Sequence, residues 1–221
     1  QSSPIRKLIP YADQAKAAGK KVYHLNIGQP DIETPEEMLN SYRNFDEKVL
    51  AYGPSQGLTF YRQHLIRYYE RHGINLELDN ILVTTAGSEA IVFTFLAAMN
   101  PGDEVLIPEP FYTNYNGFAS MAEVKIVPLT TKAENGFALP PIEEIEAKIT
   151  EKTRAIMICN PGNPTGAVYS HQDLQGLAGL AKKYDLYIIS DEVYREFIYG
   201  GEAHTGILTF PDLEQNAIMI D

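Results

Sequence analysis

The sequence predicts an α/β fold: a mostly parallel sheet sandwiched by helices, preceded by an arm that forms part of a smaller domain. Three observations carry that expectation. Strand-like and helix-like segments alternate from about residue 81 onward. The strand-like segments are continuously apolar instead of alternating, as strands covered on both faces are. The chain has 221 residues, 44% hydrophobic and 21% charged. A globular chain of that size buries about 70% of its unfolded surface.

The elements follow in order. Pro4, Pro10, Pro30 and Pro35 punctuate the first part and leave room only for short helices. Residues 1–45 are therefore expected to be an N-terminal arm and part of a small domain, with 46–221 as the large domain. Residues 81–84, Ile-Leu-Val-Thr, read as a buried strand, and 88–99 as a helix. Asn100-Pro101-Gly102-Asp103 has turn chemistry. Residues 104–107 and 124–129 read as strands, with a Tyr-rich, helix-compatible segment between them. Residues 141–149 open with a proline, which suits a first helical turn, and carry Glu143, Glu144 and Glu146. Residues 154–159 are a further apolar strand. Residues 171–184 place Leu174, Leu177, Ala178 and Ala181 at i, i+3, i+4, i+7, an amphipathic helix. Residues 186–190 and 217–220 complete the strands.

Composition excludes several function classes. Eighteen basic against 29 acidic residues give a net charge of −11, which repels phosphate backbones and argues against nucleic acid. Cys159 is the single cysteine, so no internal disulfide forms, and its apolar strand marks it as a core residue. No apolar run reaches the ~18 residues of a spanning helix, and no signal-peptide order opens the chain. The expectation is a cytoplasmic protein with no membrane partner. Dinucleotide and P-loop glycine motifs, H-E-x-x-H, metal-ligand spacing and the G-x-S-x-G elbow are all missing.

Three constellations stand at predicted strand ends. Thr84-Thr85-Ala86-Gly87-Ser88-Glu89-Ala90 runs a strand into a helix through small residues. It suits either an anion held on free N–H groups or an ordinary cap by Ser88. Asn160-Pro161-Gly162-Asn163-Pro164-Thr165-Gly166 is either a stiff turn or a loop holding the Asn163 amide toward a ligand. Ser190-Asp191-Glu192-Val193-Tyr194-Arg195 leaves a strand with Asp191 and Tyr194 about one turn apart. Asp191 there is either a helix cap or a partly buried carboxylate that needs a cationic partner. A ligand with a phosphate, a protonatable ring nitrogen and a phenolic oxygen would use all three constellations. Pyridoxal phosphate has these groups.

With these residues in view, the chain resembles the class I aminotransferases of the pyridoxal-phosphate fold type I family, aspartate aminotransferase among them. The matching segments are Asn26-Ile27-Gly28-Gln29-Pro30, Tyr52-Gly53 with Gly57, Ala86-Gly87-Ser88, Pro110-Phe111-Tyr112, the Asn160 loop and Asp191-Glu192-Val193-Tyr194. The resemblance implies the cofactor pyridoxal 5'-phosphate, amino-acid and 2-oxo-acid substrates, and a homodimer. It implies that Asp191 pairs with the ring nitrogen and keeps it protonated. Asn163 and Tyr194 donate to the phenolic oxygen, Tyr112 stacks on the ring in place of the tryptophan of some members, and Gly87 and Ser88 cradle the phosphate. Gly28 and Asn163 face the substrate, and Tyr52 reaches the cofactor of the neighbouring subunit. Two family features have no match: the Schiff-base lysine, expected within about six residues after Asp221, and a downstream arginine for the substrate carboxylate. The chain is accordingly expected to be the N-terminal part of a longer protein. The same scaffold also serves β-lyases, decarboxylases and cofactor-sensing regulatory domains, and amino transfer is the leading expectation.

Overall fold

The computed structural model describes residues 6–25, 28–199 and 203–221. The chain divides into two compact units, Gln1–Tyr52 and Gly53–Asp221. In the first, a 3-10 turn at Arg6–Leu8 leads into α1 (Ile9–Ala17), and α2 (Glu36–Arg43) follows. Both helices are short and bury no side chain. Pro35 sets the start of α2, and Glu36 and Glu37 complement its N-terminal dipole while Arg43 complements the other end.

The second unit opens with α3 (Thr59–Glu70) and α4 (Gly87–Ala98). Then come β1 (Glu104–Glu109), α5 (Tyr115–Met121), β2 (Lys125–Thr130), α6 (Ile142–Glu146), β3 (Thr153–Cys159), α7 (His171–Tyr184), β4 (Tyr187–Asp191) and β5 (Ala217–Ile220). The strands form one sheet in the order β2-β1-β3-β4-β5, and every neighbouring pair is parallel. Alternate residues of each strand feed opposite cores. Leu106, Ile156, Ile158 and Ile188 pack with Ile145 of α6 and with Leu174 and Leu177 of α7. Val105, Ile107, Met157 and Ile189 pack with Ile91 and Phe95 of α4 and with Tyr115 and Ala119 of α5. The apolar strands are thus covered on both faces, as the parallel-sheet expectation required.

Helix α7 shows how sequence sets these limits. Its buried face carries Leu174, Leu177, Ala178 and Ala181. Ser170 accepts from the Asp173 N–H, and Asp173 returns the bond to the Ser170 N–H. Lys182 and Lys183 occupy the last turn, and Asp185 ends the helix with φ 52°.

Residues 81–84 are a correction. They form no strand among the described residues, although Ile81 is extended at φ −117°, ψ 122°. A strand needs a neighbour to exchange ladder bonds with. Here the Val83 N–H donates to the Gln56 carbonyl at 3.0 Å, and the Ile81 carbonyl accepts from the Arg62 guanidinium at 3.3 Å. The apolar pattern correctly marked Ile81 as buried; periodicity carries no information about pairing.

The sheet order contains a switch point. From β1 the chain passes through α5 to β2 on one side, whereas β3 passes through α7 to β4 on the other. Connections leaving in opposite directions open a crevice at the carboxyl ends of adjacent strands. No helix among the described residues is long and apolar enough to cross a membrane.

Candidate active site

The crevice between the ends of β1 and β3 is lined by Pro110, Phe111, Tyr115, Cys159, Asn163 and Tyr169. Asp191 stands beside it as the last residue of β4, in register with Cys159 on β3 and Ile220 on β5. No helix begins at Asp191, so the cap alternative is set aside; residues 192–197 make turns instead. The Asp191 residue is 6% exposed. Its Oδ2 accepts from the Tyr115 hydroxyl at 2.5 Å, and Oδ1 accepts from the Val193 N–H at 3.4 Å. Burial pushes its proton affinity above the ordinary carboxylate value, against the Tyr115 and Val193 hydrogen bonds. The ion pairs among the described residues leave Asp191 out. The cation that a buried carboxylate calls for is therefore not supplied by those residues.

The Asn160 loop is tight for a stated reason. The Gly162 N–H donates to the Ala167 carbonyl and the Gly166 N–H to the Gly162 carbonyl, each at 2.8 Å. A Cβ on Gly162 would lie 2.6 Å from Thr165 Oγ1, and Gly166 has φ +71°; both positions favour glycine. Asn160 is fully buried, and its Oδ1 accepts from the Tyr169 N–H at 2.9 Å. The loop so anchored brings Asn163 Nδ2 to 3.4 Å from the Tyr194 hydroxyl. The two residues expected to serve one phenolic oxygen are neighbours.

Helix α4 starts without a side-chain cap. Its N-cap is Ala86, not Ser88, which lies inside the first turn and is exposed. Glu89 instead accepts from the Thr85 N–H at 2.7 Å. The first turn of a 12-residue helix is thus left with N–H groups open to an anion. It lies at the end of β5: a Cβ on Gly87 would stand 3.8 Å from Ile220 Cγ2. The Gly87 end, Asp191 and the Asn163–Tyr194 pair all occupy the carboxyl side of the sheet.

Tyr112 is half-buried, accepts from Asn114 Nδ2 at 2.6 Å and meets Tyr115 edge-on at 5.4 Å between ring centroids. Gly28 and Tyr52 belong to the first unit. A Cβ on Gly28 would meet no protein atom within 4 Å, and Tyr52 is fully exposed. Asn26 and Ile27 lie outside the described residues.

The sequence reading missed a buried polar cluster directly behind Asp191. Glu192 is 0% exposed and pairs with Arg195 Nη2 at 3.0 Å. It also accepts from the Ser190 hydroxyl at 2.9 Å and the Ile207 N–H at 2.8 Å. His204 Nε2 lies 3.0 Å from the Asn160 carbonyl oxygen and 3.7 Å from Glu192. Burial lowers the His204 proton affinity, and Nε2 donates to that carbonyl. Arg195 Nη1 reaches Asp221 at 3.3 Å, and its guanidinium lies over the Tyr69 ring at 5.1 Å. The available signal was a Glu–Arg pair at i, i+3 directly after an apolar strand. Tyr115 was missed as well, because in sequence it is one tyrosine among several.

The family model for aminotransferase class I and II matches residues 20–219. An aspartate aminotransferase of Pyrococcus horikoshii is 35% identical over 94% of this chain and 52% of its own length. An aspartate aminotransferase of Bacillus subtilis is 33% identical over 95% of this chain and 54% of its own. An alanine aminotransferase structure from Pyrococcus furiosus superposes with a TM-score of 0.86 at 36% identity, covering 92% of this chain and 53% of that one. The Thermus thermophilus aspartate aminotransferase with maleate gives a TM-score of 0.88 at 30% identity, covering 99% and 57%. The chain therefore spans about half the length of the relatives it matches.

Proposed function

The chain belongs to the class I and II aminotransferases, and we propose that the protein carrying it is a pyridoxal-phosphate-dependent transaminase. In this reading it moves an amino group between an amino acid and a 2-oxo acid. The observation that carries the reading is the Asp191 carboxylate, buried at a strand end with no cation among the described residues, beside the Asn163–Tyr194 pair. That environment calls for a ligand that brings a positive charge next to an anionic oxygen, and a protonated pyridine bearing a phenolate has both.

When bound, pyridoxal phosphate supplies an aldehyde that takes the amino group and a ring that accepts the electrons released at Cα. The residues of this chain bind and tune. Asp191 holds a proton on the ring nitrogen by offering a low-dielectric negative charge. Asn163 Nδ2 and the Tyr194 hydroxyl donate to the phenolic oxygen. The open N–H groups of Gly87 and Ser88 hold the phosphate at the α4 dipole. Tyr112 provides an aromatic face. The family resemblance gives Gly28 a main-chain contact near the substrate carboxylate, where a side chain would crowd the ligand. Tyr52, fully exposed, reaches the site of a second subunit, so a homodimer is the working unit. The partners are small acids, and the net charge of −11 supports excluding nucleic acid.

The test uses the full-length protein with pyridoxal phosphate, an amino acid labelled with nitrogen-15 and an unlabelled 2-oxo acid. Label appearing in the new amino acid is the expected result. Retention of all label in the donor, across aspartate, alanine and aromatic donors, would overturn the reading.

A further inference from the structure

Among the described residues the Asp191 carboxylate has one close side-chain partner, Tyr115, which also packs in the core beside Cys159. Tyr115 is fully buried at the start of α5. Its ring is framed by Phe111, stacked at 6.2 Å and 21°, and by Tyr112, edge-on at 5.4 Å. These contacts fix the phenol's direction, and its hydroxyl meets Asp191 Oδ2 at 2.5 Å. Burial pushes the proton affinity of this phenol far above the ordinary tyrosine value, and the neighbouring Cys159 and Asp191 push the same way, so the hydroxyl keeps its proton and has it to donate to Asp191. Among the described residues, the other groups near the carboxylate are the Val193 N–H on Oδ1, Cys159 across the ladder, and Asp221 at longer range.

We propose that Tyr115 is a positioning residue for Asp191: its phenol holds Oδ2 and favours the charged carboxylate, leaving Oδ1, with only the long Val193 contact, to meet a ring nitrogen. A carboxylate exit residue on a strand could otherwise rotate about its χ torsions. One strong donor on Oδ2 selects a single orientation, and a hydrogen bond to the charged form offsets part of the cost of burying it. The consequence for the cofactor rests on the aminotransferase reading; the restraint on Asp191 does not.

The experiment separates the two. In the full-length protein without cofactor, carboxyl carbon-13 titration of Asp191, identified by its loss in Asp191→Ala, reports the restraint. Tyr115→Phe keeps the ring and removes the donor, so the midpoint moves up. Incorporating 3-fluorotyrosine at position 115, a stronger donor of nearly the same shape, moves it down and serves if the phenylalanine variant folds poorly. With pyridoxal phosphate, Tyr115→Phe raises the cofactor dissociation constant about tenfold to hundredfold, the loss of one hydrogen bond to a charged group. The same change made on top of Asp191→Ala has no further effect. An unmoved midpoint, or an equal loss of affinity in both backgrounds, overturns the proposal. A parent protein that binds no pyridoxal phosphate overturns the transaminase reading, while the midpoint still decides the role of Tyr115.

Discussion

Asp191 and Glu192 are adjacent carboxylates, both buried, in opposite situations. Glu192 has an arginine at 3.0 Å, a hydroxyl donor and a backbone donor. Asp191 has a tyrosine hydroxyl and a long backbone contact. A strand sends alternate side chains to opposite faces. At the end of β4 one carboxylate therefore turns to the crevice and the next to the packed interior. Burying an ionised group without a cation is costly. Among the described residues the fold serves Glu192 with a cation and gives Asp191 none, which is the basis for the proposal that Asp191 meets a ligand. On that proposal Glu192 stabilises the fold and Asp191 serves the ligand.

The largest expected effect tests that division directly. Asp191→Ala in the full-length protein reduces amino transfer by orders of magnitude, with far-ultraviolet circular dichroism and the unfolding midpoint held or raised. Near-parental turnover would erase the distinction between the two residues.

Glu192→Ala gives the converse. It leaves Arg195 buried, with Nε already lacking an acceptor, and removes the acceptor for Ser190 and Ile207. Breaking one partner of a buried pair costs about 3–5 kcal/mol, read as a fall in denaturation midpoint. A variant of parental stability would show the cluster to be dispensable.

A smaller effect sharpens the comparison through pH. The folded-state proton affinity of Asp191 is raised above the ordinary 3.8 by burial. Across the window from 3.8 to the raised value, the folded state holds more protons than the unfolded one. The contribution of Asp191 is then fully present below that window and is lost as pH rises through it. Asp191→Asn has no such titration and keeps an acceptor for Tyr115. Denaturant titrations of the cofactor-free protein at several pH values should show the variant gaining on the parent as pH rises from 3.8 upward. A constant difference would mean that Asp191 titrates as if exposed.

The same comparison explains what the sequence could disclose. Residues 171–184 and 217–220 were legible to the residue, because an apolar face at i, i+3, i+4, i+7 and an unbroken apolar run are local signals. Asp191, Asn163 and Tyr194 were legible as strand-end residues in dense motifs. The role of Glu192 was not legible, since its partners His204 and Ile207 lie 12 and 15 residues away and meet it only after folding. Tyr115 meets Asp191 across 76 residues, a distance no periodicity spans. The strand expected at 81–84 failed for the same reason, because pairing is a tertiary fact.

The smallest expected effect lies at two helix starts that differ as the two carboxylates do. Helix α7 closes its N-terminus with Ser170 and Asp173, whereas α4 leaves its own open behind Ala86. Ser170→Ala removes a reciprocal cap and should cost about 1 kcal/mol of stability. Ser88→Ala touches no cap bond, its side chain is exposed, and alanine is a good helix former, so stability should change by less than about 0.5 kcal/mol. The two variants should reverse order when the readout is pyridoxal-phosphate affinity. Ser170→Ala should leave affinity unchanged, because its helix start is internally satisfied. Ser88→Ala should weaken affinity and make it less sensitive to competition by inorganic phosphate. Equal stability losses would mean that Ser88 caps α4 in solution. The open first turn would then be closed by the protein itself, and the anion site assigned to it would go.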